Sequence, residues 1–244
     1  MYSFCRGSLI GTKISCQLKA YGLSRNFLSF WCCTDEEEKI LAVISRFEDS
    51  VSLLMSDKSV ADDIRAFLDM ISFGSLCCSR DTAEILGYRN TITKRAYIYK
   101  GLYTDDIIPG LWDESYKECY SLISRAIPDS FSDTDEAYLN FLSDFTYRSR
   151  RGLARMKGCT ENERVLSCAM TSAETDSAAI ISGVACDIKV RKKGLGRRTV
   201  LSLAEELHRE GKEVYVIALN EDAEGFYERI GFEPFEKISF IERK

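Results

Sequence analysis

The sequence predicts a mixed α+β protein built on a mostly antiparallel sheet with helices on its faces. Short β-branched and aromatic runs alternate with amphipathic stretches of helical period, in an order that occurs twice along 244 residues. Several of the strand-like runs are separated only by tight turns, which is typical of antiparallel pairing. No apolar run approaches the roughly 20 residues that cross a bilayer, so we expect no membrane partner.

The first region, expected to be a smaller α/β domain over residues 1–92, contains four strand-like and two helical runs. "FLSFWCC", "ILAVISRF" and "SVSLLMS" have the composition of strands, with the charged turn "TDEEEK" between the first two. "DKSVADDIRAFLDMI" places its apolar residues on one helical face, and Asp57 or Ser59 can cap it. "SLCCS" then predicts a fourth strand and "DTAEILGY" a short helix.

The second region repeats this order with additions in front. "RAYIYKGLY" predicts a strand, and "DESYKECYSLISRAI" and "SDTDEAYLNFLSDFTYRSR" predict helices, the second capped by Ser132 or Asp133. "GLARMKGC", "VLSCAMTS" and "AAIISGVACDI" predict three antiparallel strands. A basic loop and its helix follow, then the strand "EVYVIAL", the helix "DAEGFYERI" and the strand "KISFIER". The shared order indicates a structural repeat with a shorter first copy.

Composition and charge argue against several classes of protein. The net charge is −5, and neither region has an excess of Lys and Arg, so we expect no nucleic-acid partner. The first residues, "MYSFCRGSLIG", lack the apolar core of a secretion signal, and the ten cysteines form no C-x-x-C, which favours a cytoplasmic protein with reduced thiols. Because His208 is the single histidine, we expect no metal site. Nothing in the sequence determines the oligomeric state.

The segment "VRKKGLGRRT" places two glycines among cations directly before a helix. Glycine lets successive N–H groups point into one concavity, and the helix adds the positive end of its dipole. The loop therefore predicts a phosphate site, although a solvated charged turn remains an alternative for the loop taken alone. It lacks the third glycine of the G-x-G-x-x-G dinucleotide fingerprint, and it is not a P-loop.

Two segments together resemble the GNAT superfamily of acyl-coenzyme A N-acyltransferases. In "SGVACDIKVRKKGLGRRTVLSLAEEL", the family's R/Q-x-x-G-x-G/A is met by Arg191, Gly194 and Gly196. In "VYVIALNEDAEGFYERIGF", a strand ends in Asn before a helix. The resemblance covers about residues 95–244 and implies a GNAT domain over 93–244, with acetyl-coenzyme A as cofactor and a splayed pair of strands. Residues 1–92 would be a degenerate copy, because "LMSDKSVADDI" places acidic residues where phosphate would bind.

The resemblance also implies roles for particular residues. The amides of residues 191–196 would bind the cofactor diphosphate, the preceding strand edge would pair with pantetheine, and amides around Cys186 would stabilise the oxyanion. Tyr227 would protonate the leaving thiolate, a transfer uphill by about 2 kcal/mol from ordinary pKa values. The predicted cofactor-binding residues are Val184, Ala185, Cys186, Arg191, Lys192, Lys193, Gly194, Leu195, Gly196, Arg197, Arg198 and Asn220.

The implied function is transfer of the acetyl group of acetyl-coenzyme A to a primary amine of an unidentified small molecule or peptide, by direct attack in a ternary complex. No general base is evident: Glu174, Asp176 and Asp187 are expected to be solvated turn residues, and His208 to lie late in a charged helix. Cys186 is interpreted as lining the site and not as a nucleophile. A non-catalytic acyl-coenzyme A binder and a nucleotide-binding regulatory protein remain open as alternatives.

Overall fold

The computed structural model describes residues 1–101, 107–111, 115–128, 131–162 and 164–243. Short 3₁₀ turns at Lys58–Val60 and Ile188–Val190 each precede a helix. The described helices are α1 (Leu9–Tyr21), α2 (Ala61–Met70), α3 (Arg80–Ile85), α4 (Tyr116–Ala126), α5 (Asp135–Ser149), α6 (Leu195–Arg209) and α7 (Glu221–Arg229). The described strands are β1 (Leu28–Thr34), β2 (Ile40–Phe47), β3 (Ser50–Met55), β4 (Ser75–Ser79), β5 (Ile92–Tyr99), β6 (Met156–Glu161), β7 (Arg164–Glu174), β8 (Ala178–Cys186), β9 (Glu213–Ile217) and β10 (Phe232–Glu242).

The chain forms two compact units, which do not coincide with the predicted domains 1–92 and 93–244. Unit 1 comprises Met1–Tyr97, Ile217–Gly225 and Pro234–Lys244, and unit 2 comprises Ile98–Val216 and Phe226–Glu233. The difference arises because β10, at the far end of the sequence, pairs antiparallel with β4 in unit 1. Sequence periodicity identifies a strand but not its partner, so this exchange could not be read from the sequence.

Unit 1 contains the sheet order β1-β2-β3-β4-β10-β5. Its apolar core forms where α2 covers the sheet, with Ile64 and Leu68 buried against Leu53 and Leu76. Asp57, one of the two expected caps, accepts a hydrogen bond from Ser59 N (2.8 Å) at the start of the 3₁₀ turn before α2. Helix α1, which was not predicted from the sequence, packs against β3 and β4.

Unit 2 contains the sheet order β9-β8-β7-β6. The predicted antiparallel arrangement of β6, β7 and β8 is confirmed. Helix α4 contributes Cys119 and Ile123 to a buried cluster over this sheet, joined by Phe145 from α5. The expected cap of α5 was wrong: the residue that accepts from Ala137 N is Thr134 (3.2 Å), not Ser132 or Asp133.

The predicted fold class is confirmed, and so is the recurring element order. Three antiparallel strands, a helix, a strand parallel to the third, and another helix follow one another twice along the chain, from β1 to α3 and from β6 to α7. The helix after the third strand differs between the units in the charge of its first turn, where α2 carries Asp62 and Asp63 and α6 carries no acidic residue. Every described helix is either too short or too polar to span a lipid bilayer.

We expect a chain that begins at Thr91 to lose its cooperative fold. Deleting residues 1–90 removes β4, so β10 loses the antiparallel pairs from Ile238↔Ser79 to Glu242↔Ser75. Ile238 and Ile241, which are 0% and 5% exposed in the full chain, would then be uncovered. Size-exclusion chromatography and thermal unfolding of residues 91–244 would test this. A monomer that unfolds in one sharp transition near the temperature of the full chain would contradict the expectation.

Candidate functional site

Strand β8 is paired on both edges for only part of its length. It pairs with β7 along its course, but its parallel pairing with β9 runs only from Ala178↔Glu213 to Ile181↔Val216. Beyond Ile181, β8 continues to Cys186, and no strand in the described part of the chain pairs with this second edge. The backbone N–H and C=O groups of this edge are therefore available to an extended ligand, as at the edge of any sheet.

A β-bulge shapes the free part of β8. Between the pairs Ser182↔Met170 and Ala185↔Cys168, β8 contains one residue more than β7. Gly183 lies in this bulge with φ +56°, a left-handed conformation that favours glycine. A Cβ atom here would lie 2.9 Å from Met170 Cε, so both the backbone and the packing favour glycine. The bulge re-aims the backbone at the point where the second edge becomes free.

The segment after β8 turns directly into α6. Asp187 Oδ1 accepts from Lys189 N (2.9 Å), and its other carboxylate oxygen pairs with Arg164 (2.8 Å). The Lys189 amide, aided by the Arg164 charge, holds the pKa of Asp187 below its usual range. Asp187 is therefore a salt-bridged cap of the 3₁₀ turn, buried rather than solvated as expected.

The basic loop has the backbone geometry of an anion site. Lys192 and Gly194 have φ +64° and +82°, and Gly194 is the N-cap of α6 without any side-chain hydrogen bond to the helix. The first turn of α6 carries no acidic residue, so its positive end faces a loop of cations. The exposed cationic side chains of this segment are Arg191, Lys192, Lys193, Arg197 and Arg198.

Cys186 lies beneath the start of α6. A Cβ atom on Gly196 would be 4.0 Å from Cys186 Cβ, so the helix approaches the strand closely here. Burial raises the pKa of the Cys186 thiol, partly offset by the Arg191 charge and the Gly196 amide. The thiol therefore stays protonated at neutral pH, which supports its interpretation as a lining residue and not a nucleophile.

Comparisons with known proteins agree with this geometry. Residues 160–241 match the FR47-like protein family model. An acetyltransferase of the GNAT family from Colwellia psychrerythraea superposes with TM-score 0.61 and 9% identity, covering 100% of this chain and 97% of that one. This chain has the GNAT fold.

Two further solved structures share the GNAT fold. A GCN5-related N-acetyltransferase from Kribbella flavida superposes with TM-score 0.60 and 14% identity, covering 95% of this chain and 94% of that one. A tandem GNAT protein from the clavulanic acid biosynthesis pathway gives TM-score 0.57 and 13% identity over 95% of this chain and 87% of that one. Both superpositions extend over nearly the whole of this chain. A comparison with curated protein sequences gives no match.

The two remaining predicted site residues are Asn220, directly before α7, and Tyr227, on α7. Tyr227 is 5% exposed and packs against Phe226 and Phe232, with ring centroids 5.3 and 5.6 Å away. Burial raises the pKa of its phenol well above the usual value. Asn220 belongs to unit 1, where its Oδ1 accepts from Ala223 N (2.9 Å) and caps α7. The loop and the β8 edge are thus contiguous in unit 2, whereas Asn220 has a structural role and its contact with the cofactor stays a prediction.

The residues considered as general bases lie in an ion network, at a helix end or in an exposed turn. Glu174 was expected to be a solvated turn residue, and this was wrong: it is 0% exposed and binds Arg155 (2.5 Å) and Lys212 (2.6 Å). His208 is exposed in the last turn of α6, as expected, with its ring edge-to-face on Tyr99 at 5.7 Å. Asp176 lies in the exposed turn between β7 and β8.

An ion network that was not predicted from the sequence joins the carboxyl-terminal end of α6 to the sheet. Arg155, directly before β6, binds Glu206 of α6 and Glu210, the C-cap of that helix, each at 2.6 Å, in addition to Glu174. Its members are far apart in sequence, and no local pattern indicates the pairing. The complete network is Arg155, Lys157, Glu174, Glu206, Glu210 and Lys212.

We expect this network to make stability depend on acid pH through Glu210. The hydrogen bond from Arg155 lowers the pKa of Glu210 to about 2, so its contribution is complete above its ordinary pKa and is lost as the pH falls from there towards about 2. Glu210→Gln should therefore lower the free energy of unfolding at pH 7 and flatten its decline between about pH 5 and pH 2. The effect should be modest, because the Glu210 side chain is 39% exposed.

Urea unfolding at a series of pH values measures this slope. The matched control is Glu221→Gln, which removes an exposed carboxylate at the start of α7. An acid slope identical in Glu210→Gln and the wild type would rule out the assigned role.

Proposed function

We propose that this protein is an acetyl-coenzyme A-dependent N-acetyltransferase that acts on a primary amine of a small molecule or peptide. One observation carries the proposal: the free edge of β8 leads directly into a basic loop and then into α6, whose first turn contains no acidic residue. An extended amide-containing arm that ends in a diphosphate is complementary to both features at once. Coenzyme A has this chemistry, and acetyl-coenzyme A supplies an activated thioester when bound.

The residues present fit the cofactor. The left-handed Gly194 turns the chain so that loop amides and the start of α6 can face a diphosphate, and Arg197 and Arg198 follow in the first helical turn. The edge at Val184–Cys186 offers backbone groups for the pantetheine amides. The first turn of α2, with Asp62 and Asp63, would repel an anion, so we assign cofactor binding to unit 2 alone.

The chemistry required is attack by a neutral amine on a thioester carbonyl, with stabilisation of the oxyanion and of the departing sulfur. Backbone N–H groups of the free β8 edge are proposed to serve the oxyanion. Tyr227 is proposed to serve the sulfur. Because burial raises its pKa, the phenol stays protonated, and complete transfer to a thiolate is more uphill than reference values suggest. Tyr227 would then act as a hydrogen-bond donor to sulfur rather than by complete proton transfer.

The burial of Tyr227 also favours a second candidate, a non-catalytic acyl-coenzyme A binder. Tyr227 is 5% exposed, and a tyrosine this deeply buried contributes to packing whether or not it takes part in catalysis. The two candidates share the cofactor and differ only in turnover, so a single substitution distinguishes them.

Tyr227→Phe should lower the rate of thiol release by on the order of 100-fold while leaving the affinity for coenzyme A unchanged. The reason is that the ring remains while the donor to sulfur is removed. The measurement is release of free thiol from acetyl-coenzyme A with a panel of primary amines, alongside calorimetric binding of coenzyme A.

Tyr215→Phe is the matched control, because it also removes a hydroxyl from a buried tyrosine of unit 2. A Tyr227→Phe enzyme with wild-type turnover would remove the assigned acid role. A wild type that binds coenzyme A but acetylates no amine in the panel would favour the non-catalytic binder.

Reversing the loop charges should weaken coenzyme A binding. Arg197→Glu with Arg198→Glu places two negative charges at the start of α6, and we expect the affinity for coenzyme A to fall roughly tenfold or more. Pantetheine, which has no diphosphate, should bind the variant and the wild type equally. Calorimetry, or thermal shift over a range of ligand concentrations, measures both.

The matched control is Lys39→Glu with Arg89→Glu, which makes the same change in net charge at exposed positions of unit 1. An equal loss of affinity in both double variants would contradict a local anion site. Stronger stabilisation of the wild type by ATP or NAD than by coenzyme A would favour the nucleotide-binding alternative instead.

A further inference from the structure

The hydroxyl oxygen of Ser182 is buried and lacks a hydrogen-bond partner among the described residues, although the residue as a whole is only half-buried. The other buried side-chain atoms in this condition are Gln17 Oε1, Ser45 Oγ, Ser52 Oγ and Glu236 Oε1, all of which belong to unit 1. Within the described part of unit 2, Ser182 is thus the exception.

Neighbouring hydroxyls on the same sheet show that partners are normally found. Ser167 Oγ lies 2.6 Å from Thr199 Oγ1, and Ser172 Oγ donates to Ile180 O at 3.3 Å. A buried hydroxyl without a partner costs folding free energy, which an alanine at the same position would avoid. A partner that binds from outside the chain is one explanation for a polar group in this condition, and the position of the group decides whether that explanation applies.

The position of Ser182 indicates which partner this is. Ser182 is the first β8 residue after the last pair with β9, Ile181↔Val216, and it directly precedes the bulge at Gly183. It therefore lies where the free edge of β8 begins. Cys186, at the other end of that edge, adjoins the basic loop.

The length of the free edge determines where the far end of an extended ligand lies. Cys186 lies four positions after Ser182, about 13 Å along the strand at the usual rise per residue. An arm whose diphosphate is held by the loop, and which follows this edge away from the loop, brings its far end to Ser182. In the proposed function, which this inference rests on, that end is the acyl thioester.

The register also determines the face of the sheet on which the Ser182 side chain lies. Ser182 lies opposite Met170 in the antiparallel pair, and directly opposed residues share a face. Met170 packs in the cluster with Ile123 of α4, whereas Cys186 shares the other face with the start of α6. The Ser182 hydroxyl therefore points away from the α6 side, into largely apolar surroundings where a hydrogen bond is strengthened.

We propose that the Ser182 hydroxyl donates a hydrogen bond to the carbonyl oxygen of the acyl thioester. When the amine nitrogen attacks the carbonyl carbon, the carbonyl π electrons move to this oxygen, and the hydrogen bond becomes charge-assisted. When the C=O bond re-forms, the C–S bond breaks and sulfur leaves with the bonding electron pair. The amine nitrogen releases one proton to solvent, and the thiolate takes up one proton from solvent, so the products are an amide and a free thiol. Ser182 keeps its own proton throughout. It is a catalytic residue that distinguishes acyl-coenzyme A from free coenzyme A.

Ser182→Ala tests this through binding, turnover and stability together. The preference for acetyl-coenzyme A over coenzyme A, measured by calorimetry, should fall about threefold to tenfold, while affinity for coenzyme A itself is unchanged. With an amine that the wild type acetylates, kcat should fall on the order of 100-fold, more than KM for acetyl-coenzyme A changes. The melting temperature should stay the same or rise, because the variant removes a buried hydroxyl that has no protein partner.

Two further variants complete the design. Ser182→Thr keeps a hydroxyl and should recover most of the preference for acetyl-coenzyme A. Ser172→Ala removes a strand serine whose hydroxyl has a protein partner, and it should leave the preference unchanged.

An unchanged preference and an unchanged kcat in Ser182→Ala would overturn the role of Ser182 and leave the proposed function standing. So would a lower melting temperature with both values unchanged, since this would mark a structural hydroxyl. A wild type that binds neither ligand would overturn the proposed function and, with it, this inference. The binding measurements need no acceptor amine. They therefore test the role of Ser182 before the natural substrate is known.

Discussion

The unequal pairing of the two edges of β8 is the constraint on which the site depends. β7 holds one edge along its course, which keeps the strand extended and fixes its register. β9 holds the other edge over four pairs and then no longer pairs with it. A strand held in this way is rigid yet keeps unused backbone donors and acceptors, a combination that neither a central strand nor an isolated one offers. The bulge, the basic loop and the start of α6 follow from where this edge becomes free.

The two units share a local arrangement of strands and helices but differ in the charge at the start of the helix after the third strand. Both have a parallel strand pair joined through a helix, and the pairing of β3 with β4 is as limited as that of β8 with β9, covering three residue pairs. Acidic residues in the first turn of α2 replace the glycines and cations that lead into α6. Local residues at one helix start therefore separate a potential cofactor site from a structural copy.

The sequence predicted the elements well because their signals are local. Strand-forming runs, helical periodicity and the glycine loop each lie within a few consecutive residues, so β2, β4 and the order of elements around α6 could be identified directly. The pairing of β4 with β10 and the burial of Glu174 could not, because both depend on residues distant in the chain. For the same reason the sequence marked Tyr227 but gave no sign of its burial, which changes the proton chemistry open to it.

The partnership of β4 with β10 also bears on how the protein is made. Unit 2 lies almost wholly between these strands in the sequence, so a growing polypeptide emerges from the ribosome with the first unit incomplete until β10 has been synthesised. Closing so long a loop is entropically costly and slow compared with local pairing. Until then the β4 edge, with Leu76 and Cys78 in the core, is open to other chains. The nascent protein would thus need chaperone protection longest in the part that is translated first.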